Sequence, residues 1–95
     1  MPHINVSLQI LPLVEEEKVY PVVDAVIDYI KASGVKYVIG PMETTMEGPM
    51  DTLFEIVKKA HDICIKQGAR RVTAVIKTDY KPGGVTIDAK IGKYR

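Results

Sequence analysis

Residues 35–48 read VKYVIGPMETTMEG, and this stretch decides the fold. Apolar residues precede a Gly40-Pro41 turn and hydroxyl-bearing residues follow it, a pattern typical of a strand, a turn and a second strand. A two-stranded hairpin is not stable alone in water, so the rest of the chain must cover it. The second strand ends in Glu47-Gly48-Pro49, where a carboxylate meets the start of a helix.

The chain before this hairpin predicts one strand and one helix. Residues 3–11 alternate strictly, with apolar side chains on one face and uncharged polar ones on the other, namely His3, Asn5, Ser7 and Gln9. A solvated sheet face usually carries charged residues, so this polar row indicates cover by a ligand or a partner subunit. Pro12 ends the strand. Apolar side chains then recur at helical spacing after Pro21, and Gly34 closes this helix.

The chain after the hairpin adds a second helix and a fourth strand, so that the order strand, helix, strand occurs twice. A second amphipathic helix begins at Gly48-Pro49 and ends at Gly68, and residues 70–80 alternate as a strand. The order β-α-β-β-α-β predicts an α+β, ferredoxin-like sandwich with a four-stranded antiparallel sheet and two helices on one face. Residues 86–94 favour a short C-terminal helix, with a strand as the alternative. We expect the other sheet face to be bare, and therefore to be an assembly surface.

Composition excludes several classes of protein. The 95 residues are enough for one domain, residues 1–95, and the formal net charge of +1 lacks the basic excess of a nucleic-acid binder. The single cysteine, Cys64, excludes an internal disulfide and a zinc site of several thiolates. Neither a signal-peptide pattern nor an apolar run of about 20 residues occurs, so we expect a cytoplasmic chain without membrane contact.

No group of residues predicts catalysis, a metal site or a cofactor site. His3 and His61 fall on different elements without a nucleophile partner, and Gly83-Gly84 lacks the ending of a phosphate-binding loop. The predicted central strands offer no aromatic side chains on which RNA bases would stack. We therefore expect a protein that is not an enzyme. A small hydrolase that uses Glu47 as its base is a further alternative, for which no substrate can be named.

Small polar side chains are expected to meet on two neighbouring central strands. They are Ser7 and Gln9 of the first strand, and Thr44 or Thr45 with Glu47 of the third. Hydroxyls and amides both donate and accept, which suits the edge of a heterocycle, and a carboxylate suits a cation. Tyr37 adds a flat surface for a ring. This constellation indicates either a binding edge or a polar subunit interface.

Four segments that cover nearly the whole chain carry a family resemblance: NVSLQILPL, KYVIGPMETTMEG, KKAHDICIKQGARRV and IKTDYKPGGVTIDAKIGKYR. The most specific part is Gly40–Gly48, with its proline, its threonines and its Glu-Gly pair. In these segments the chain resembles the small thiamine-binding protein family, which consists of YkoF-like proteins with a ferredoxin-like fold.

This resemblance implies a subunit that assembles through its sheet into a homo-oligomer, a dimer or a tetramer. It also implies binding of a small molecule, thiamine or its hydroxymethylpyrimidine portion, without turnover. Carried over by position, the implied binding residues are Ser7, Thr44, Thr45 and Glu47, followed by Gln9, Tyr37, Lys77 and Asp79. The alternative is a structural or regulatory interaction module with no small-molecule ligand, whose polar row is only a subunit interface.

Overall fold

A four-stranded antiparallel sheet in the order β2-β3-β1-β4 organises the molecule. The computed structural model of the chain describes residues 2–95. Its elements are β1 (His3–Pro12), a 3-10 turn (Glu16–Lys18), α1 (Val19–Ala32), β2 (Lys36–Ile39), β3 (Thr44–Pro49), α2 (Met50–Lys66), β4 (Val72–Asp79), α3 (Ile87–Ile91) and a second 3-10 turn (Gly92–Tyr94). This order confirms the predicted α+β, ferredoxin-like fold.

Helices α1 and α2 cover one face of the sheet. The core between them consists of buried side chains at the predicted strand and helix spacings, among them Ile4, Val6, Leu8, Val26, Ile30, Met46, Leu53, Ala60 and Cys64. Complete burial of one such aliphatic side chain contributes about 1.5–3 kcal/mol. Burial also raises the pKa of the Cys64 thiol, which disfavours its reactive thiolate form. Cys64 is therefore a core residue.

Glycine ends both long helices. Gly34 has a φ of 84° and Gly68 a φ of 100°, values in the left-handed region that residues with a Cβ rarely adopt. At the other end of α2, Pro49 has an extended backbone and Asp51 lies in the first turn, where its charge is favourable. These local signals confirm the predicted ends of both helices and the predicted start of α2, whereas α1 begins at Val19, two residues before Pro21.

The register of the sheet determines which side chains share a face. Ser7 of β1 lies opposite Thr45 of β3 and Lys77 of β4, while the next residue, Leu8, lies opposite Thr44. Successive side chains of a strand point to opposite faces. Ser7, Thr45 and Lys77 therefore lie on the face that α1 and α2 leave open, and Thr44 lies on the helix-covered face.

The expectation of a bare second sheet face is wrong for the part that α3 covers. Ile87 is only 3% exposed, and its backbone N–H donates to Glu47 Oε1 at 2.7 Å. Thr86 caps α3, because its Oγ1 accepts from the backbone N–H of Ala89 at 3.1 Å. The C-terminal segment thus forms the short helix that the sequence favours, and it folds back over the sheet.

Across residues 2–95, none of the helices has both the length and the apolar character required to span a lipid bilayer.

Candidate functional site: a cleft beside the C-terminal helix

A cleft lined by both polar and apolar side chains lies on the sheet face opposite α1 and α2. Its volume is about 380 Å³, within the range of small-molecule pockets in proteins. All four strands, the β2–β3 turn, α3 and the C-terminal Arg95 contribute to its wall. The polar lining residues used below are Asn5, Ser7, Glu43, Thr45, Lys77, Asp79 and Lys90.

One end of the cleft holds the Ser7 cluster, which we define as Ser7, Glu43, Thr45 and Lys77. Ser7 Oγ donates a hydrogen bond to Glu43 Oε2 and lies 3.1 Å from Thr45 Oγ1. Lys77 Nζ donates to the other carboxylate oxygen of Glu43, Oε1, at 3.0 Å. The sheet places Ser7 between Thr45 and Lys77, and the β2–β3 turn brings Glu43 over it.

The electrostatics of this cluster favour an ionised carboxylate. The hydrogen bond from Ser7, and then the one from Lys77, hold the pKa of Glu43 below its ordinary value. Glu43 is therefore negatively charged at neutral pH. Carboxylate oxygens each accept more than one hydrogen bond, so Glu43 can still accept from the donor group of a ligand.

The other end of the cleft holds the Lys90 cluster, which we define as Asn5, Asp79 and Lys90. Lys90 Nζ donates to Asp79 Oδ2 at 2.6 Å and to Asn5 Oδ1 at 2.7 Å. A second link between α3 and the sheet joins Lys36 Nζ to Asp88 Oδ2 at 2.5 Å, and this hydrogen bond raises the pKa of Lys36. The helix is thus joined to β1, β2 and β4 by polar contacts.

Four of the residues implied by the family resemblance come together in the cleft: Ser7, Thr45, Lys77 and Asp79. Glu47 lies on the same sheet face, opposite Asn5, but its carboxylate accepts the backbone N–H of Ile87. Glu47 therefore holds α3 in place and does not line the cleft.

The structure does not bring the other three implied residues, Thr44, Tyr37 and Gln9, into this cleft. Thr44 is buried on the helix-covered face, and Tyr37 lies opposite Met46 and packs against the same core. Gln9 shares the face of Ser7 but lies two residues further along β1, outside the cleft. The alternation of β3 separates Thr44 from Thr45, although the two residues are adjacent in sequence.

Glu43, Asn5 and Lys90 are among the cleft residues that lie outside the implied set. Asn5 belongs to the same polar row as Ser7, so the alternation of β1 was a sufficient signal for it. Glu43 lies in the turn closed by the backbone N–H of Gly40, which donates to Glu43 O at 2.8 Å. A Cβ at Gly40 would come within 2.9 Å of that same oxygen, so this turn requires glycine. No local signal indicates Lys90, because the folding back of α3 is a tertiary event.

Within the part of the chain that the structure describes, no three histidine, cysteine or carboxylate side chains lie close enough together to hold a metal ion. The cleft offers hydroxyl, amide, carboxylate and ammonium groups. It is thus equipped to recognise a small polar molecule by hydrogen bonds and charge.

Comparisons with known proteins match almost the whole chain. A family model described as thiamine-binding protein matches residues 6–95. A UPF0045 protein of Clostridium perfringens is 64% identical over 91 residues, which are 96% of this chain and 96% of that protein. A UPF0045 protein of Bacillus subtilis is 30% identical over 71 residues, which are 73% of this chain and 68% of that protein.

Two solved structures are similar in fold and sequence. A domain of unknown function, DUF77, from Bacillus cereus superposes with a TM-score of 0.92 at 43% identity, over 99% of this chain and 91% of that one. A Thermotoga maritima protein assigned provisionally to thiamine biosynthesis or salvage superposes with a TM-score of 0.90 at 37% identity. That match covers 99% of this chain and 100% of the Thermotoga chain.

Proposed function

Because the chain belongs to the thiamine-binding protein family, we propose that its cleft binds thiamine or the hydroxymethylpyrimidine portion of thiamine without turnover. The observation that carries this proposal is the Ser7 cluster, in which an ionised carboxylate, two hydroxyls and a lysine line a cleft of about 380 Å³. The Thermotoga relative, assigned provisionally to thiamine biosynthesis or salvage, supports the same ligand class.

The chemistry of the ligand matches the groups in the cleft. The pyrimidine ring of thiamine carries an amino group that donates and ring nitrogens that accept. The Glu43 carboxylate accepts from such an amino group, and the Ser7 and Thr45 hydroxyls can donate or accept beside it.

The ionisation of Glu43 and the hydrogen bond of Glu47 support binding rather than catalysis. A general base works best when its pKa lies near the working pH, whereas the pKa of Glu43 is held below its ordinary value. Glu47, the base of the hydrolase alternative, is occupied by the backbone N–H of Ile87. We therefore assign both carboxylates to binding or to structure.

The adjacent threonines of β3 provide a matched test by isothermal titration calorimetry. Thr45→Val removes a hydroxyl from the cleft, so we expect the affinity for thiamine and hydroxymethylpyrimidine to fall roughly tenfold, the effect of losing one hydrogen bond of about 1.4 kcal/mol. Thr44→Val makes the same change on the opposite face and should leave the affinity unchanged. Absence of heat from the unmodified protein with either compound at millimolar concentration would contradict the proposal.

We also propose that the protein is a homo-oligomer whose subunits associate through strand β4. β4 is an outer strand of the sheet, and Val75 and Ile76 on it are exposed apolar residues. An exposed apolar edge strand is a template for pairing with another chain, and a second copy offers the same edge.

The same edge also favours the alternative of a structural or regulatory interaction module without a small-molecule ligand. Calorimetry separates the two functions. A module of this kind assembles through β4 but gives no heat with thiamine or hydroxymethylpyrimidine, and Thr45→Val then changes no measurable affinity.

A further inference from the structure

Asn5 has a buried amide group of which only the oxygen has a hydrogen-bond partner within residues 2–95. The residue is 4% exposed and lines the cleft. Its Oδ1 accepts from Lys90, but its Nδ2 has no hydrogen-bond partner among these residues. Buried side-chain donors in folded proteins almost always have a partner, so the unpaired Nδ2 of this cleft residue points to a partner from outside residues 2–95.

The orientation of this amide is determined by its neighbour. The Lys90 ammonium group can only donate, so the Asn5 atom 2.7 Å away must be the oxygen. Lys90 is itself held by Asp79 at 2.6 Å. The Nδ2 group therefore cannot exchange places with Oδ1 without losing this contact, and the free hydrogen-bonding group of Asn5 is a donor.

Asn5 and the Ser7 cluster present complementary chemistry along one strand. Asn5 and Ser7 lie two residues apart on the same face of β1, about 7 Å from each other at the rise of a strand. One end offers the Glu43 carboxylate as an acceptor and the other end offers the Asn5 amide as a donor. An aminopyrimidine has the reverse arrangement, with an amino donor and ring-nitrogen acceptors on one flat ring.

We propose that Asn5 is a specificity-determining residue of this cleft, whose Nδ2 donates to a ring nitrogen of the bound aminopyrimidine while Glu43 accepts from its amino group. This inference rests on the proposed function. It narrows the ligand class to heterocycles that carry both an amino donor and a ring acceptor. A site with a buried donor rejects analogues without the matching acceptor, because the donor would then stay unpaired.

The test compares hydroxymethylpyrimidine with its two pyridine analogues, in each of which one ring nitrogen is replaced by CH. Titration of the unmodified protein should show that one of the two analogues binds at least tenfold more weakly than the pyrimidine. This comparison needs no variant, so a negative result would overturn the inference even if substitutions at Asn5 prevent folding. Equal affinity for the pyrimidine and both analogues would overturn the role of Asn5 and leave the proposed function intact.

The Asn5→Asp variant then identifies the donor. It keeps an oxygen for Lys90 and nearly the same volume, but it replaces the Nδ2 donor with an acceptor. We expect the affinity for hydroxymethylpyrimidine to fall at least tenfold and the preference over the weaker analogue to vanish. Gln9→Glu makes the same change on the same face of β1 but outside the cleft. It should retain the affinity for hydroxymethylpyrimidine and the preference over the weaker analogue. A preference that survives in Asn5→Asp would overturn the inference, whereas absence of any binding by the unmodified protein would overturn the proposed function itself.

Discussion

Glu43 is an ionised carboxylate of the cleft, and its effect on stability should depend on pH. Its folded-state pKa is lowered by Ser7 and Lys77. A lowered carboxylate pKa stabilises the folded protein above the unfolded value of about 4.3, and this contribution is lost as the pH falls through the folded pKa. We therefore expect Glu43→Gln to melt at a lower temperature than the unmodified protein near neutral pH, and the difference to shrink below the unfolded value as the pH falls through the folded-state pKa of Glu43.

Thermal melting followed by circular dichroism between pH 7 and pH 3 measures this difference. Glu55→Gln is the matched control, because Glu55 is exposed on α2 and has only a 3.5 Å contact with Lys58. Surface ion pairs of this kind contribute little, so its melting temperature should follow that of the unmodified protein at every pH. A Glu43→Gln difference that grows as the pH falls would contradict the role of the ionised carboxylate.

At the scale of elements, α3 depends on contacts that its own sequence does not supply. A helix of five residues is far below the length that is stable alone in water. Its cap at Thr86, the burial of Ile87 and the hydrogen bond from Ile87 N–H to Glu47 hold it on the sheet. α3 and the cleft wall that it provides are therefore expected to be the first part of the fold to open.

Glu47→Ala tests this dependence. It removes a hydrogen bond to a charged group, which contributes about 1.5–3 kcal/mol, so the backbone amides of α3 should exchange with deuterium roughly ten- to a hundredfold faster. Hydrogen exchange followed by mass spectrometry or NMR measures this rate.

Glu55→Ala is the control for this change, since its carboxylate lies on the exposed surface of α2 and contacts no part of α3. Exchange in α3 should be unaltered in this variant, and exchange in the core strand β1 should be unaltered in both. Equal protection of α3 in Glu47→Ala and in the unmodified protein would show that Glu47 does not hold the helix.

At the scale of the whole molecule, the β4 edge leads to a prediction about assembly. Val75 is 47% exposed on this outer strand, and a charged residue on an edge strand discourages pairing with another chain. We expect Val75→Lys to shift the proposed homo-oligomer toward monomers in sedimentation velocity. Ile65→Lys, at a residue 53% exposed on α2, makes the same change away from the edge and should leave the assembly intact. Equal sedimentation of Val75→Lys and the unmodified protein would exclude β4 as the interface.

Some features of the candidate site could be predicted from sequence because they are local. The alternation of residues 3–11 places Asn5 and Ser7 on one face, and that of residues 70–80 places Lys77 and Asp79 on one face. The two threonines of β3 show the limit of such reasoning. Only one of them can face the cleft, and the register with β1 decides that it is Thr45.

The sequence by itself determined the order of the elements, their ends at glycine and proline, and the two faces of each strand. These follow from the allowed backbone angles and from periodicity, which act between residues that are close in the chain. Only the tertiary structure decided that Glu43 lies over Ser7, 36 residues away, and that Lys90 contacts Asn5, 85 residues away. The physical reason is that such contacts depend on how the turn and the C-terminal helix pack on the sheet, and no local pattern encodes that packing.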